Sequence, residues 1–245
     1  MYIDNSAQTL RKYLLLLKKH SEQGEPIKVA LYSVFNIEEP GGDNEVLLWD
    51  KISKMMSLPK KIEDTLKDYF PDEEITCPSW RPSINRFFSN LNLNEPLNNS
   101  ISRVSDIAIN ELGRISLLFK TKGQIGRLNH ENITEITLQL RELKESILKG
   151  DFPIELKKDM LHYINNMIRA FDDYDISGIE PIISATEATM GHACMSQPFK
   201  DTLKDTTEGT KLKRIIKKTL SSINNIEGIV SLGANATTMI EFFNK

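Results

Sequence analysis

Cysteine is nearly absent from this chain. Cys77 and Cys194 are the only two in 245 residues, far apart and in no metal-like spacing. That speaks for free thiols in a reducing cytoplasm rather than for a disulfide framework or a clustered metal site. Long apolar runs are missing too, and no stretch supplies the ~20 uninterrupted apolar residues of a membrane span. The start, Met-Tyr-Ile-Asp-Asn-Ser, lacks a basic segment followed by an apolar one, so no signal peptide is expected. Charge of one sign is also lacking. The formal net charge is -3, which gives no global attraction to nucleic acid or anionic lipid. At 40% hydrophobic and 27% charged, the composition is that of an ordinary globular protein, of a length for one large or two small domains. Abundant Lys, Asn and Ile suggest an AT-rich bacterial or phage-related gene.

What the chain has is helical periodicity. Ile133, Ile136, Leu140, Leu143 and Ile147 recur at steps of three and four, which places them on one face of a helix. Asn132 and Glu135 read as a capping box at its start, and Gly150 as a left-handed end. Pro153 suits the first turn of the next helix, whose stripe is Leu156, Met160, Ile164, Met167 and Phe171. A link this short predicts an antiparallel hairpin, and the two apolar faces must bury against each other and further helices.

Elsewhere, Ser6 to Gln23 is predicted helical with Ser6 as N-cap, and Pro26 to Ile37 is a short helix or strand. Glu39 to Asp43 is a break. Helices are expected over Asn44 to Ser57, Pro59 to Tyr69, Ser83 to Leu91 and Ile101 to Leu118, with a polar connector at Asn92 to Asn99. The segment from His192 to Glu208 reads as a loop with one short helix. Leu212, Ile216, Leu220, Ile223, Ile226 and Val230 then continue the helical period. Strand patterns are scarce. The fold class is therefore all-α, an irregular multi-helix bundle with a central antiparallel helical hairpin. Lys120 to Asn129, with Gly123 and Gly126, is the expected boundary between an N-terminal subdomain, residues 1–122, and a C-terminal bundle, residues 130–245.

Few residues suggest chemistry. Asp173, Asp175 and Ser177 alternate before Gly178 as ligands do in the first half of a calcium loop. The second half fails, because Ser184 stands where a bidentate Glu belongs and Pro181 falls inside the loop. A capping box of Ser177 and Glu180 accounts for the same residues without metal. His20, His130, His162 and His192 share no helical turn, although His192 and Cys194 are close in sequence. Glu142-Leu143-Lys144 and Glu155-Leu156-Lys157 carry the Glu-x-Lys fragment of metal-dependent nucleases, with Pro71-Asp72 as an acidic partner. Both copies fall on predicted helices, where such charges are ordinary solvated faces. Arg127 and His130 are too close for the signature of helical RNases. Gly123-Gln124-Ile125-Gly126 lacks the strand and Lys-Ser/Thr of a phosphate loop, and no G-x-S-x-G occurs. Lys211, Lys213, Arg214, Lys217 and Lys218 form one basic cluster before the least charged part, Ile226 to Phe243. Glu227, Asn235 and Glu241 favour docking of that part on the bundle over insertion in lipid.

Arg81-Pro82 through Leu91-Asn92-Leu93-Asn94, and Leu156 to Gly191 with Ala170-Phe171-Asp172-Asp173-Tyr174-Asp175 and Gly178, resemble helical bacterial proteins of uncharacterised function. The resemblance implies an all-helical fold and transfers no catalytic residue.

The function expected from these readings is a non-enzymatic, cytoplasmic interaction subunit of a bacterial complex, of the toxin–antitoxin, immunity or phage-defence kind. Its partner would be another protein, with homo-oligomerisation open and no cofactor, nucleic acid or membrane implied. The alternatives are a helical metal-dependent nuclease and a membrane-active effector working through its C-terminal helix. Trp49, Trp80, Phe87 and Phe88 lie near breaks, where aromatics more often fill a core than form a binding site.

Overall fold

Asn5 starts the first helix. Its Oδ1 accepts the Gln8 N–H at 2.9 Å, while its amide donates to the Ser116 carbonyl at 3.0 Å. Ser6, expected as the cap, is the first helical residue and is buried. The computed structural model describes residues 4–38, 41–71, 77–121 and 127–224. Among them the chain forms twelve helices, and the only β pairing is an isolated bridge between Pro26 and Pro96. The helices are α1 (Ser6–Ser21), α2 (Ile27–Val34), α3 (Asp43–Tyr69), α4 (Trp80–Ser89), α5 (Leu97–Ile101) and α6 (Asp106–Thr121). They continue with α7 (His130–Lys149), α8 (Ile154–Asp172), α9 (Tyr174–Ser177), α10 (Glu180–Met195), α11 (Gln197–Asp205) and α12 (Thr207–Asn224). The fold is an all-α multi-helix bundle. It divides into two compact units, Asn5–Gln124 and Ile125–Lys245, the latter taking in Met1–Asp4.

In the unit Asn5–Gln124, α1 packs against α2, α3, α5 and α6, and α4 against α3 and α6. The buried residues Leu10, Leu14 and Leu17 of α1 follow the helical period. The predicted break at Pro59 does not occur, and α3 runs through it. A proline inside a helix costs roughly 3 kcal/mol. Leu48, Ile52, Met55, Leu58 and Ile62 form one buried stripe that crosses the proline. Each such side chain contributes roughly 1.5–3 kcal/mol when buried, so the continuous stripe outweighs the break. Part of the expected connector at Asn92 to Asn99 coils into α5, and α6 begins at Asp106 rather than Ile101. Ser105 Oγ accepts the Ala108 N–H there at 3.2 Å.

Helix α4 begins without a side-chain cap of its own. Glu111 of α6, only 5% exposed, supplies one from a distance. Its Oε2 accepts the N–H groups of Ser79 at 2.9 Å and Trp80 at 2.7 Å. These would otherwise be unsatisfied donors at a buried helix end.

In the other unit, α7 packs against α8 and α12, α10 against α8, α9 and α11, and α11 against α8 and α12. Ile136, Leu140, Leu143, Ile164, Met167 and Phe171 are all buried, as their spacing requires. Lys157 near the start of α8 donates to the carbonyls of Leu148 and Gly150 at the end of α7. At the far end of α8, Asp172 takes two hydrogen bonds from Arg141, at 2.8 and 2.9 Å. Two terminal details differ from the sequence reading. Helix α7 is capped by Asn129, which accepts the Glu131 N–H, so Asn132 lies inside it and Glu135 pairs with Gln139 and Lys218 instead. Gly150 is extended, at φ -74° and ψ 155°, not left-handed. Glycine is needed there for room: a Cβ would lie 2.6 Å from the Phe152 ring.

The stretch His192 to Glu208 is helical rather than a loop. Ser196 Oγ accepts the Phe199 N–H to start α11, and Thr206 Oγ1 accepts the Gly209 N–H to start α12. Polar Ser196 and Thr206 thus act as caps within a helical stretch. Gly209 also lets two backbones meet, since a Cβ on it would fall 1.9 Å from the Thr202 carbonyl oxygen.

Candidate functional site

The acidic corner comes first among the sequence candidates. Asp173 ends α8, and residues 174–177 coil into the single turn α9. Residues two apart on a helical turn diverge, so Asp175 points away from the side that Asp173 and Ser177 share. Asp173 is buried, whereas Asp175 is exposed. Among the described residues, no group of three or more His, Cys, Asp or Glu could hold a metal ion. Ser177 does not form the expected capping box either. Helix α10 has no local side-chain cap, and Asp4 provides it. The Asp4 carboxylate accepts the Ile179 N–H at 3.1 Å and the Glu180 N–H at 3.2 Å. An anion at that position also complements the positive end of the helix dipole.

The two Glu-x-Lys fragments separate. Glu155 pairs with Lys158 at 3.0 Å, and Lys157 caps the end of α7 as described. Glu142 and Leu143 instead meet the basic cluster. With Gln139, Lys211, Arg214 and Ile215 they line a pocket of ≈ 220 Å³ between α7 and α12. Leu143 and Ile215 supply its buried apolar part, and one carboxylate and two cations its rim. The rest of the cluster has other roles. Lys218 pairs with Glu135, and Lys213 sits near Lys217 and Lys204. Burial, then those two like charges, hold the Lys213 ammonium below the ordinary lysine range. Asp72, Gly123 to Gly126 and Ile226 to Phe243 lie outside the described residues.

One pairing escaped the sequence reading. His192 Nε2 lies 3.2 Å from Asp159 Oδ2, and its ring packs 4.9 Å from both Tyr163 and Phe199. An imidazole–carboxylate pair is the hardware of a general base. Here its ring neighbours are aromatic, and Phe199 is fully buried, so the group serves as a packed joint of α8, α10 and α11.

Among the described residues, the largest run of exposed apolar side chains on one helix lies on α3. Val46 is 70% exposed, Trp49 53% and Met56 47%. With exposed Ser53 they occupy one line at spacings of three, four and three, beside the buried stripe through Ile52 and Met55. Helix α3 is thus apolar on two faces, one covered by its own unit and one facing solvent. Three-and-four spacing alone does not separate these faces. Charged pairs border the line: half-buried Lys28 with Glu45 at 2.7 Å, and the exposed pairs of Lys54 with Asp50 and Lys60 with Asp64.

Among the described residues, no helix is long and apolar enough to cross a membrane. Comparison with protein-family models, curated proteins and solved structures finds no match.

Proposed function

We propose that the protein acts by binding a protein partner through the solvent-facing line Val46, Trp49 and Met56 of α3. The exposed Trp49 is the observation that carries this reading. Leaving a tryptophan half in water forgoes much of the stabilisation its burial would bring. Tryptophan is also the residue type most enriched among side chains that dominate protein interfaces. Flanking Val46 and Met56 extend it into a patch rather than a scattered apolar residue. Polar Asp50, Lys54 and Lys60 supply the rim such interfaces carry.

The test compares the full chain with its Trp49→Lys variant in affinity purification from the native host under mild crosslinking. A partner in stoichiometric amount is expected with the wild type and at least tenfold less with the variant. The two should melt at the same temperature, since Trp49 is not part of the core. Metal-dependent degradation of nucleic acid by the isolated chain, abolished by one carboxylate substitution, would overturn the reading in favour of a nuclease.

A further inference from the structure

We propose that the pocket between α7 and α12 binds a free α-amino acid with an apolar side chain. The site lies wholly within the unit Ile125–Lys245 and stands independently of the α3 face. Polar contacts tie the two helices together on either side of the pocket, in antiparallel order. Glu135 of α7 pairs with Lys218 of α12 on one side, and Ser146 Oγ donates to Glu208 at 2.9 Å on the other. Between those ties both helices carry the same spacing. Gln139, Glu142 and Leu143 on α7 match Lys211, Arg214 and Ile215 on α12: a polar pair three apart, then an apolar residue. That spacing sets all three residues on one side of their helix.

The two walls differ in kind. On α12, Lys211 and Arg214 are positive and can only donate hydrogen bonds. On α7, the Glu142 carboxylate is negative and can only accept them. The Gln139 amide nitrogen already donates to Glu135 at 3.0 Å, which leaves its carbonyl oxygen as a second acceptor. Lys218 and Glu135 close on each other across the same helix pair. Among the described residues, Glu142, Lys211 and Arg214 form no ion pair, although all three line one pocket. Buried Leu143 and Ile215 supply its apolar part. An occupant that satisfies both walls brings a carboxylate to α12, an ammonium to α7 and an apolar group to Leu143 and Ile215. Arg214 suits the carboxylate in particular, because a guanidinium can grip it through two parallel hydrogen bonds. A free amino acid joins all three groups in a small molecule. Phosphate would be repelled by Glu142, and a fatty acid would bring no donor to Glu142 or Gln139. The last residue of a polypeptide lacks the ammonium, and the first lacks the carboxylate. The size agrees, since ≈ 220 Å³ falls below the roughly 300–1,000 Å³ of pockets for drug-sized ligands.

The experiment titrates the full chain calorimetrically with L-leucine, L-isoleucine, L-methionine and L-phenylalanine as probes. At least one should bind saturably, one to one, and should raise the melting temperature as its concentration rises. Glycine, which keeps both charges but has no side chain, should bind about tenfold more weakly or less well still. The same loss is expected for the N-acetyl derivative of the bound amino acid, which has no ammonium, and for its amide, which has no carboxylate. Arg214→Ala and Glu142→Gln alter exposed residues, so each should leave the unliganded melting temperature unchanged and weaken binding about tenfold or more. The derivatives are tested on the wild type, so they decide the matter even if a variant fails to fold. Absence of binding by all four amino acids would overturn the proposal. So would an N-acetyl derivative that binds as tightly as its parent, or binding undiminished in both variants. Inorganic phosphate that displaces the bound amino acid would reduce the site to a simple anion trap and would overturn it as well.

Discussion

Asp4 and Gly178 occupy one another's space. A Cβ on Gly178 would lie 2.3 Å from the Asp4 carboxylate, the same carboxylate that caps α10. Gly178 also has φ 79° and ψ -161°, a region open essentially to glycine alone. Its missing side chain therefore permits both the turn out of α9 and the entry of Asp4. Gly178→Ala should destabilise the protein by about 2–4 kcal/mol, combining backbone strain with loss of the cap. Asp4→Ala should cost about 1 kcal/mol. The double variant should cost clearly less than the sum, because removing the carboxylate relieves the clash. Strict additivity in denaturant unfolding would refute the coupling.

The same geometry bears on calcium. Asp175 is turned away from Asp173 and Ser177 by the turn of α9, so calcium or a chelator should leave the melting temperature unchanged. A rise of several degrees with calcium would show that the corner rearranges into a binding loop.

Glu111 caps α4 as Asp4 caps α10, but from a more buried position. Glu111→Ala should cost about 2–4 kcal/mol, since two helix-end donors lose their acceptor together. Glu111→Gln keeps one acceptor oxygen and should cost less. Burial, then the Glu111 charge, pushes the Cys77 thiol above its ordinary range, against a smaller opposing effect of Arg114. Cys77 should therefore alkylate more slowly than exposed Cys194. Glu111→Gln should speed the Cys77 reaction, and peptide mapping of the labelled sites would show whether it does.

Burial also raises the Tyr174 phenol, whose oxygen accepts the Leu128 N–H at 2.8 Å. A raised pKa means that the fold favours the neutral phenol. Its contribution is complete below about pH 10, where free tyrosine ionises, and is lost as pH rises through the folded value. Tyr174→Phe should cost about 1 kcal/mol at neutral pH and make stability fall less steeply above about pH 10. An unchanged alkaline slope in the variant would contradict the assignment.

Leu140 is fully enclosed between α7 and its neighbours. Leu140→Asp should cost about 3–5 kcal/mol, through the lost apolar packing and a buried carboxylate without a partner. Leu138→Asp, at an exposed position of the same helix, should change stability by less than about 0.5 kcal/mol. Equal melting temperatures for Leu140→Asp and the wild type would exclude this packing.

Much of the architecture was legible because helix periodicity is a local property. Three-and-four spacing put Ile136, Leu140, Leu143, Ile164, Met167 and Phe171 on buried faces, and scarce strand patterns made the class all-α. Helix ends were less legible, for a physical reason. Local capping boxes at Asn132 with Glu135 and at Ser177 with Glu180 were plausible by spacing alone. The actual caps are Asn129, adjacent to the helix, and Asp4, brought from 175 residues away to Ile179.

By itself, then, the sequence determined which segments coil and which of their faces are apolar, since both follow from the 3.6-residue turn. The tertiary structure alone decided whether α3 continues through Pro59, which depends on what its buried stripe packs against. It also decided that Asp4 and Glu111 satisfy helix ends remote in the chain. Finally, it decided which apolar face of α3 stays in water. Val46, Trp49 and Met56 are as apolar as Ile52 and Met55, and only the packing of α1 and α4 around α3 separates them.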